Sequence, residues 1–321
     1  MPVCTRCNSE VGLLGRLSFN SQKARCGKCE REVHQALSHY RGAFLRAAED
    51  GVLTGQEWNT LNGILYDYRL DVHEALEFIR GDALHFVERV LAFAYADGIV
   101  EPHEEKNIHF LLHSLAIPDA LARPILERLE YLKYLSAIRL GRLPSLRASV
   151  HLESDEICHM EMAATYHKVN AKSVTPIPGS LVATNKKLTF LSPSGGAEIP
   201  WKRIMRVTRE GNGVYLELST KKANGHYDVT DPILAELLID TAVKVAKRQL
   251  VPPLSEGDTR HIPQHVKQAV WQRDQGKCVQ CGATAYLEFD HIIPFSKGGA
   301  SSVNNVQLLC RKCNLGKGDR L

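Results

Sequence analysis

Residues 83–96, ALHFVERVLAFAYA, are apolar around most of a helical circumference, the pattern of a helix lying central in a bundle. Helical signal runs through residues 33–141. Within it, Glu49-Asp50-Gly51-Val52 is echoed by Ala96-Asp97-Gly98-Ile99, and Glu57 and Glu104 each follow their aspartate by seven residues. Thr54-x-x-Glu57 has the spacing of a capping box, and Pro102 with Glu104 suits a first helical turn. Both acidic pairs are therefore expected at helix starts rather than around a metal, and His109 and His113 on a plain helix face.

The pattern changes over residues 142–250. Short β-prone runs (GSLVATN, KLTFLS, AEIPWKRIMRVTRE, VYLELS) are separated by Gly, Asn and Pro. Asp231 as N-cap and Pro232 at the first position then open a helix with Glu236, Asp240, Lys244 and Lys247 on its polar face. A small β-sandwich capped by that helix is predicted. Residues 251–262, VPPLSEGDTRHI, bury little and read as a linker. QHVKQAVWQRDQGKC follows as an amphipathic helix with Val266, Ala269 and Val270 inward, stopped at Gly276. Glu288 to His291 alternates as a strand and ends in two polar residues. The fold class expected is multidomain α+β.

Composition narrows the classes. A chain of 321 residues exceeds one ordinary domain, and 44% apolar with 24% charged residues excludes a disordered or collagen-like chain. No apolar run nears the ~20 residues of a membrane span, and even ILAELLID carries Glu236 and Asp240. MPVCTRCNSE lacks the charged-then-apolar order of a secretion signal, so a soluble cytoplasmic protein is expected. The formal charge of +4 sits entirely in residues 258–321, which hold nine Lys/Arg against five Asp/Glu. A basic terminal segment suggests a polyanionic partner. Zinc bound by four thiolates adds two negative charges per site, however, so charge alone does not decide it.

Eight of the nine cysteines form two pairs of C-x-x-C knuckles: Cys4 and Cys7 with Cys26 and Cys29, and Cys278 and Cys281 with Cys310 and Cys313. Without an export signal, disulfides are disfavoured, and paired knuckles read as two closed, structural Zn²⁺ sites. Residues 1–32 look like a zinc ribbon. Cys158 stands alone and is expected as a small buried hydrophobe.

Between and beside the second knuckles stand Asp290-His291, Pro294, Gly298-Gly299, Asn305 before VQLLC, and Cys313-Asn314 with Lys317-Gly318. Asp supplies hard oxygen suited to Mg²⁺ or Mn²⁺, and His titrates near neutrality, as a general base must. Asn314 directly follows a zinc ligand, so the staple fixes where its amide points. Neighbouring side chains on a strand face opposite ways, so Asp290 and His291 can share a pocket only where the strand ends.

This constellation resembles the HNH endonuclease family, in its McrA-like branch, over residues 263–321. The resemblance implies a ββα-metal finger. Asp290 and Asn314 would hold one divalent cation, His291 would deprotonate the attacking water, and Asn305 would bond backbone near His291 to hold the ring. It also implies DNA as substrate, with 5′-phosphate and 3′-hydroxyl products. Asn314 stands where some relatives have His, a change to a weaker ligand. Lys317, Lys312 and Arg311 are candidate phosphate contacts. More loosely, the D-G segments resemble the tellurite-resistance (TerB-like) helical family, and residues 142–250 the bacterial pleckstrin-homology/GRAM-like fold. That second likeness implies a lipid or peptide ligand, with Lys186, Lys187, Lys202 and Arg203 as phosphate candidates, although a solvated strand face is the simpler reading. A metal-dependent endonuclease is the leading expectation. Two nicks or a homodimer would be needed for a double-strand cut, and RNA is a second candidate substrate. The alternative is a non-enzymatic zinc adaptor that assembles nucleic acid or protein partners.

Overall fold

The computed structural model describes residues 1–170, 173–247, 262–294 and 299–317 and divides the chain into two compact units. The first comprises Met1–Val90 and Asn107–Arg123, the second Leu91–Lys106 and Pro124–Leu321. The division runs through the helical segment instead of at its ends.

In the first unit the N-terminal knuckles lead straight into helix α1, Gly27–Ala47. That helix starts inside the segment expected to be a ribbon. Cys26 is its N-cap and Cys29 lies in its first turn, so the cysteine set and the helix start are one structure. Helices α2 (Gly55–Asp67) and α3 (Val72–Phe78) follow, with the first part of α4 (Arg80–Ala94). Val33, Leu37, Tyr40, Phe44, Leu61, Ile79 and Phe86 are buried here.

The internal echo is structural. Gly51 and Gly98 both take positive φ, at 84° and 86°, where a side chain is strained. Asp50 and Asp97 each accept from the amide two residues on, Val52 at 2.9 Å and Ile99 at 3.0 Å. Glu57 closes the expected capping box with Thr54, and Glu104 accepts from the Glu101 amide at 2.9 Å. Helix-start geometry thus accounts for both acidic pairs.

The second unit contains the start of α5 (Pro102–Ser114), most of α6 (Asp119–Arg139), a sheet, and the C-terminal finger. The strands are β1 (Cys158–Val169), β2 (Val174–Thr184), β3 (Lys187–Leu191), β4 (Ala197–Pro200), β5 (Ile204–Glu210), β6 (Gly213–Leu218) and β7 (Gly225–Val229). They form one antiparallel sheet in the order β4-β3-β2-β1-β7-β6-β5, not the two facing sheets of the expected sandwich. β1 and β2, twelve and eleven residues long, are paired over nearly their whole length. Such long strands can carry one sheet around a helix. That helix, α7 (Pro232–Ala246), is capped as expected, with the Asp231 side chain accepting from Leu234 N. Its Ala235, Leu238, Ile239 and Ala242 join Leu181, Phe190, Trp201, Leu216 and Tyr227 in one core. Cys158 is buried, as expected.

Residues 251–261 of the expected linker lie outside the described residues, but its last residue, Ile262, is fully buried. It joins a core of Val266, Val270, Trp271, Leu287, Phe289, Val306, Leu308 and Leu309 that also takes in Ala92 and Phe93 from the end of α4. Helix α8, Gln264–Arg273, buries Val266 and Val270 as predicted, yet buries Lys267 where Ala269 was expected. The reason is a long-range contact: Lys267 Nζ donates to Phe93 O at 2.8 Å. Among the described residues no helix is long and apolar enough to cross a membrane.

Candidate active site

The site rests on a hairpin and one short helix. β8 (Leu287–His291) pairs antiparallel with β9 (Val306–Cys310), and α9 (Arg311–Lys317) follows without a break. The alternation of LEFDH buries Leu287 and Phe289 and turns Glu288 and Asp290 to the other face. α9 lies over that face. Asn314 and Lys317, three apart and therefore on one side of the helix, make two rungs to the strand. Asn314 Nδ2 donates to Glu288 Oε2 at 2.7 Å, and Lys317 Nζ donates to Asp290 Oδ2 at 2.6 Å. Gln307, cross-strand partner of Asp290, also donates to Oδ2, at 3.1 Å.

His291 is the last residue of β8. Its Nε2 lies 3.0 Å from Ser301 Oγ, and its carbonyl accepts from Lys317 Nζ at 2.6 Å. Asn305 is a backbone clamp. Its Oδ1 accepts from Ile293 N at 2.9 Å, while Nδ2 donates to Ala300 O at 2.9 Å and Ile293 O at 3.2 Å. Gly299 passes so close that an added Cβ would stand 1.9 Å from Ile293 O, which only glycine permits. Gly298 and Gly318 lie outside the described residues.

Both cysteine sets converge, with all four sulfurs of each within 4.8 Å of one another. A tetrahedral ion with Zn–S near 2.3 Å requires sulfurs about 3.8 Å apart; Cys7 to Cys26 is 3.9 Å and Cys281 to Cys310 is 3.5 Å. The residues present fit zinc. In the C-terminal set, Cys310 ends β9 and Cys313 lies in α9, so this staple sets the angle between strand and helix.

The two expected ligands of a hard cation are a separate question. Asn314 Oδ1 is buried and has no hydrogen-bond partner among the described residues, although its Nδ2 is well placed. A buried acceptor left alone costs free energy unless something electropositive meets it. Asp290 supplies a carboxylate, and an ammonium already rests on it. Two oxygen donors of this kind fit Mg²⁺ or Mn²⁺.

The sequence profile of the family described as HNH endonuclease matches residues 278–320, the span from the first knuckle cysteine through α9. The C-terminal segment is an HNH endonuclease domain. The chain is also similar to the type IV methyl-directed restriction enzyme EcoKMcrA of Escherichia coli (strain K12), at 29% identity over 149 residues. That match takes in 39% of this chain and 53% of the relative, so the chain spans about half of the relative's length.

In the HNH domain, burial raises the Cys278 thiol, but the amides of Cys310, Cys281 and Gln280 outweigh it and bring the thiol down to about 6. Burial pushes Cys313 up to about 12. The N-terminal set repeats the contrast, with Cys4 down to about 6 and Cys29 up to about 12.

Of the three basic residues expected at phosphate, Lys312 is exposed and Lys317 rests on Asp290. Arg311 instead covers the Tyr131 ring, 4.4 Å from its centroid, with Asp231 at 3.9 Å. Elsewhere, Lys186 pairs with Glu153 and Asp155, and Lys187 with Glu198, so those two phosphate candidates are internally matched. Sequence reasoning missed Glu288, Gln307 and Ser301. Strand alternation could have found Glu288, two residues before Asp290 on the same face. Gln307 and Ser301 carried no signal before the register was known.

Proposed function

We propose that the HNH domain hydrolyses phosphodiester bonds of DNA, with His291 as general base and Asp290 and Asn314 as ligands of one divalent cation. The observation that carries the reading is the orphaned, buried Asn314 Oδ1 on the same helix–strand face as the Asp290 carboxylate. The bound cation supplies Lewis-acid stabilisation to the charge that develops at the phosphate.

The remaining work falls to the chain. His291, whose ring Nε2 lies 3.0 Å from Ser301 Oγ, takes the proton from a water aimed at phosphorus. The water oxygen bonds to phosphorus, the bond from phosphorus to the 3′ oxygen breaks, and that oxygen takes a proton from solvent water, to which His291 later returns the one it holds. The products are a 5′-phosphate and a 3′-hydroxyl. Asn305 acts one step back, tying the backbone of Ile293 to that of Ala300 so that His291 keeps its direction. Lys312, exposed at the start of α9, contacts phosphate as a point charge. One such finger cuts one strand, so a double-strand break requires two nicks or a second copy.

The helical and sheet parts localise or regulate the domain, in the manner of TerB-like and pleckstrin-homology-like modules. The relative's name adds methylated DNA as a substrate to include. The test is nicking of supercoiled plasmid, methylated and unmethylated, and of matched RNA, with Mg²⁺ or Mn²⁺. Wild type should nick DNA, and His291→Ala and Asp290→Ala should lose at least about 100-fold, the usual share of a general base. Equal cutting by His291→Ala removes the base assignment. No cutting under any metal, with two zinc ions per chain retained, favours an adaptor.

A further inference from the structure

Arg128 belongs to α6, 160 residues upstream of Glu288 in the sequence, yet it reaches the HNH domain in the second unit. Its guanidinium donates to Leu287 O at 3.0 Å, lies 3.5 Å from Glu288 Oε1, and covers the Tyr286 ring at 5.2 Å. Both partners are shielded, with side-chain exposures of 8% for Arg128 and 13% for Glu288. This is a charge pair away from bulk water, aimed at the residue that holds Asn314.

The chemistry of the chain of contacts has one direction. Arg128 only donates, and a carboxylate only accepts. Glu288, fixed by Arg128 through Oε1, presents Oε2 to Asn314. The Asn314 amide must then turn its NH₂ toward Glu288, which leaves Oδ1 as the atom to meet a cation. Without the carboxylate the amide could turn over and offer NH₂ to a cation, which repels it.

We infer that Arg128 is a positioning residue for the nuclease: acting through Glu288, it fixes the Asn314 amide with its oxygen toward the cation, so the HNH site is complete only while the finger is docked on α6. The inference rests on the reading of Asp290 and Asn314 as cation ligands. It adds that part of the ligand geometry comes from outside the family segment, residues 278–320.

The test uses the full chain with both zinc ions bound. Free Mn²⁺ is followed by electron paramagnetic resonance, and the Asn314 side-chain amide by ¹⁵N–¹H correlation without Mn²⁺. Variants are Arg128→Met, Arg128→Lys, Glu288→Gln and, as control, Asp290→Ala. Glu288→Gln is isosteric, so the test does not depend on whether the fold tolerates Arg128→Met. Wild type is expected to bind one Mn²⁺ that Asp290→Ala abolishes. Glu288→Gln and Arg128→Met should weaken it about tenfold or more, the range of changes behind a metal ligand. Zinc content should stay at two, the Asn314 amide signals should shift, and Arg128→Lys should recover most of the affinity.

Unchanged Mn²⁺ affinity and unchanged Asn314 signals in Glu288→Gln and Arg128→Met, with the Asp290-dependent site present, overturn the positioning role and leave the nuclease reading intact. A wild type with no Asp290-dependent Mn²⁺ site overturns the ligand reading and this inference together.

Discussion

Lys317 Nζ lies 2.6 Å from Asp290 Oδ2, so the carboxylate assigned to a divalent cation already holds a monovalent one. The pair is shielded, with side-chain exposures of 10% and 16%, and a second bond to His291 O anchors the ammonium. A divalent ion entering at Asp290 must weaken or displace this contact.

Lys317→Met is therefore expected to tighten Mn²⁺ binding, by about tenfold or ~1.4 kcal/mol. Titration of the variant beside wild type measures it directly. Weaker binding in the variant would mean that Lys317 organises the carboxylate rather than competing for it.

Asn305→Ala removes three hydrogen bonds that tie Ile293 to Ala300. Three backbone groups lose their clamp, a cost of roughly 1–3 kcal/mol in stability. Nicking should fall further than stability, because His291 ends β8 two residues before the clamped Ile293. Calorimetry and plasmid nicking on one preparation separate the two effects. A variant that melts early but nicks at the wild-type rate would confine Asn305 to a folding role.

Much of the finger was legible because its signals are local. C-x-x-C spacing located both cysteine sets, LEFDH alternation located β8, and Asp231-Pro232 located the start of α7. What stayed hidden depends on segments far apart in the chain. Lys267 looked like a polar position on an amphipathic helix, but Phe93 O, 174 residues away, makes it an inward one. Arg128 gave no hint of Glu288, nor Arg311 of Tyr131. The expected sandwich failed for a related reason: strand runs show where strands are, while one sheet or two depends on how long strands bend.

Cys310→Ser should remove one zinc of two and loosen the finger while leaving the first unit's zinc in place. Cys310 is both a ligand and the end of β9, so its loss frees α9 from the strand. Elemental analysis should read one zinc per chain, and limited proteolysis should cut within residues 263–317 first. Retention of two zinc ions would show that the remaining three cysteines suffice.

Lys267 offers a prediction in pH. Burial holds its ammonium below the usual lysine range, opposed by the carboxylates of Asp97 and Glu104. The folded chain therefore releases this proton at lower pH than the unfolded chain does. Between the lowered value and the ordinary value near 10.4, the unfolded state binds more protons, and stability rises with pH. Tyrosines raised by burial, such as Tyr40, act the other way, losing stability as pH climbs past 10. They are common to wild type and Lys267→Met and cancel in the difference. Lys267→Met also strands Phe93 O, which costs roughly 1–3 kcal/mol. The stability of wild type minus that of the variant, from urea unfolding at a series of alkaline pH values, should be positive and should grow with pH across that window. A difference that shrinks instead would mean the Asp97 and Glu104 carboxylates outweigh burial and hold the ammonium charged in place.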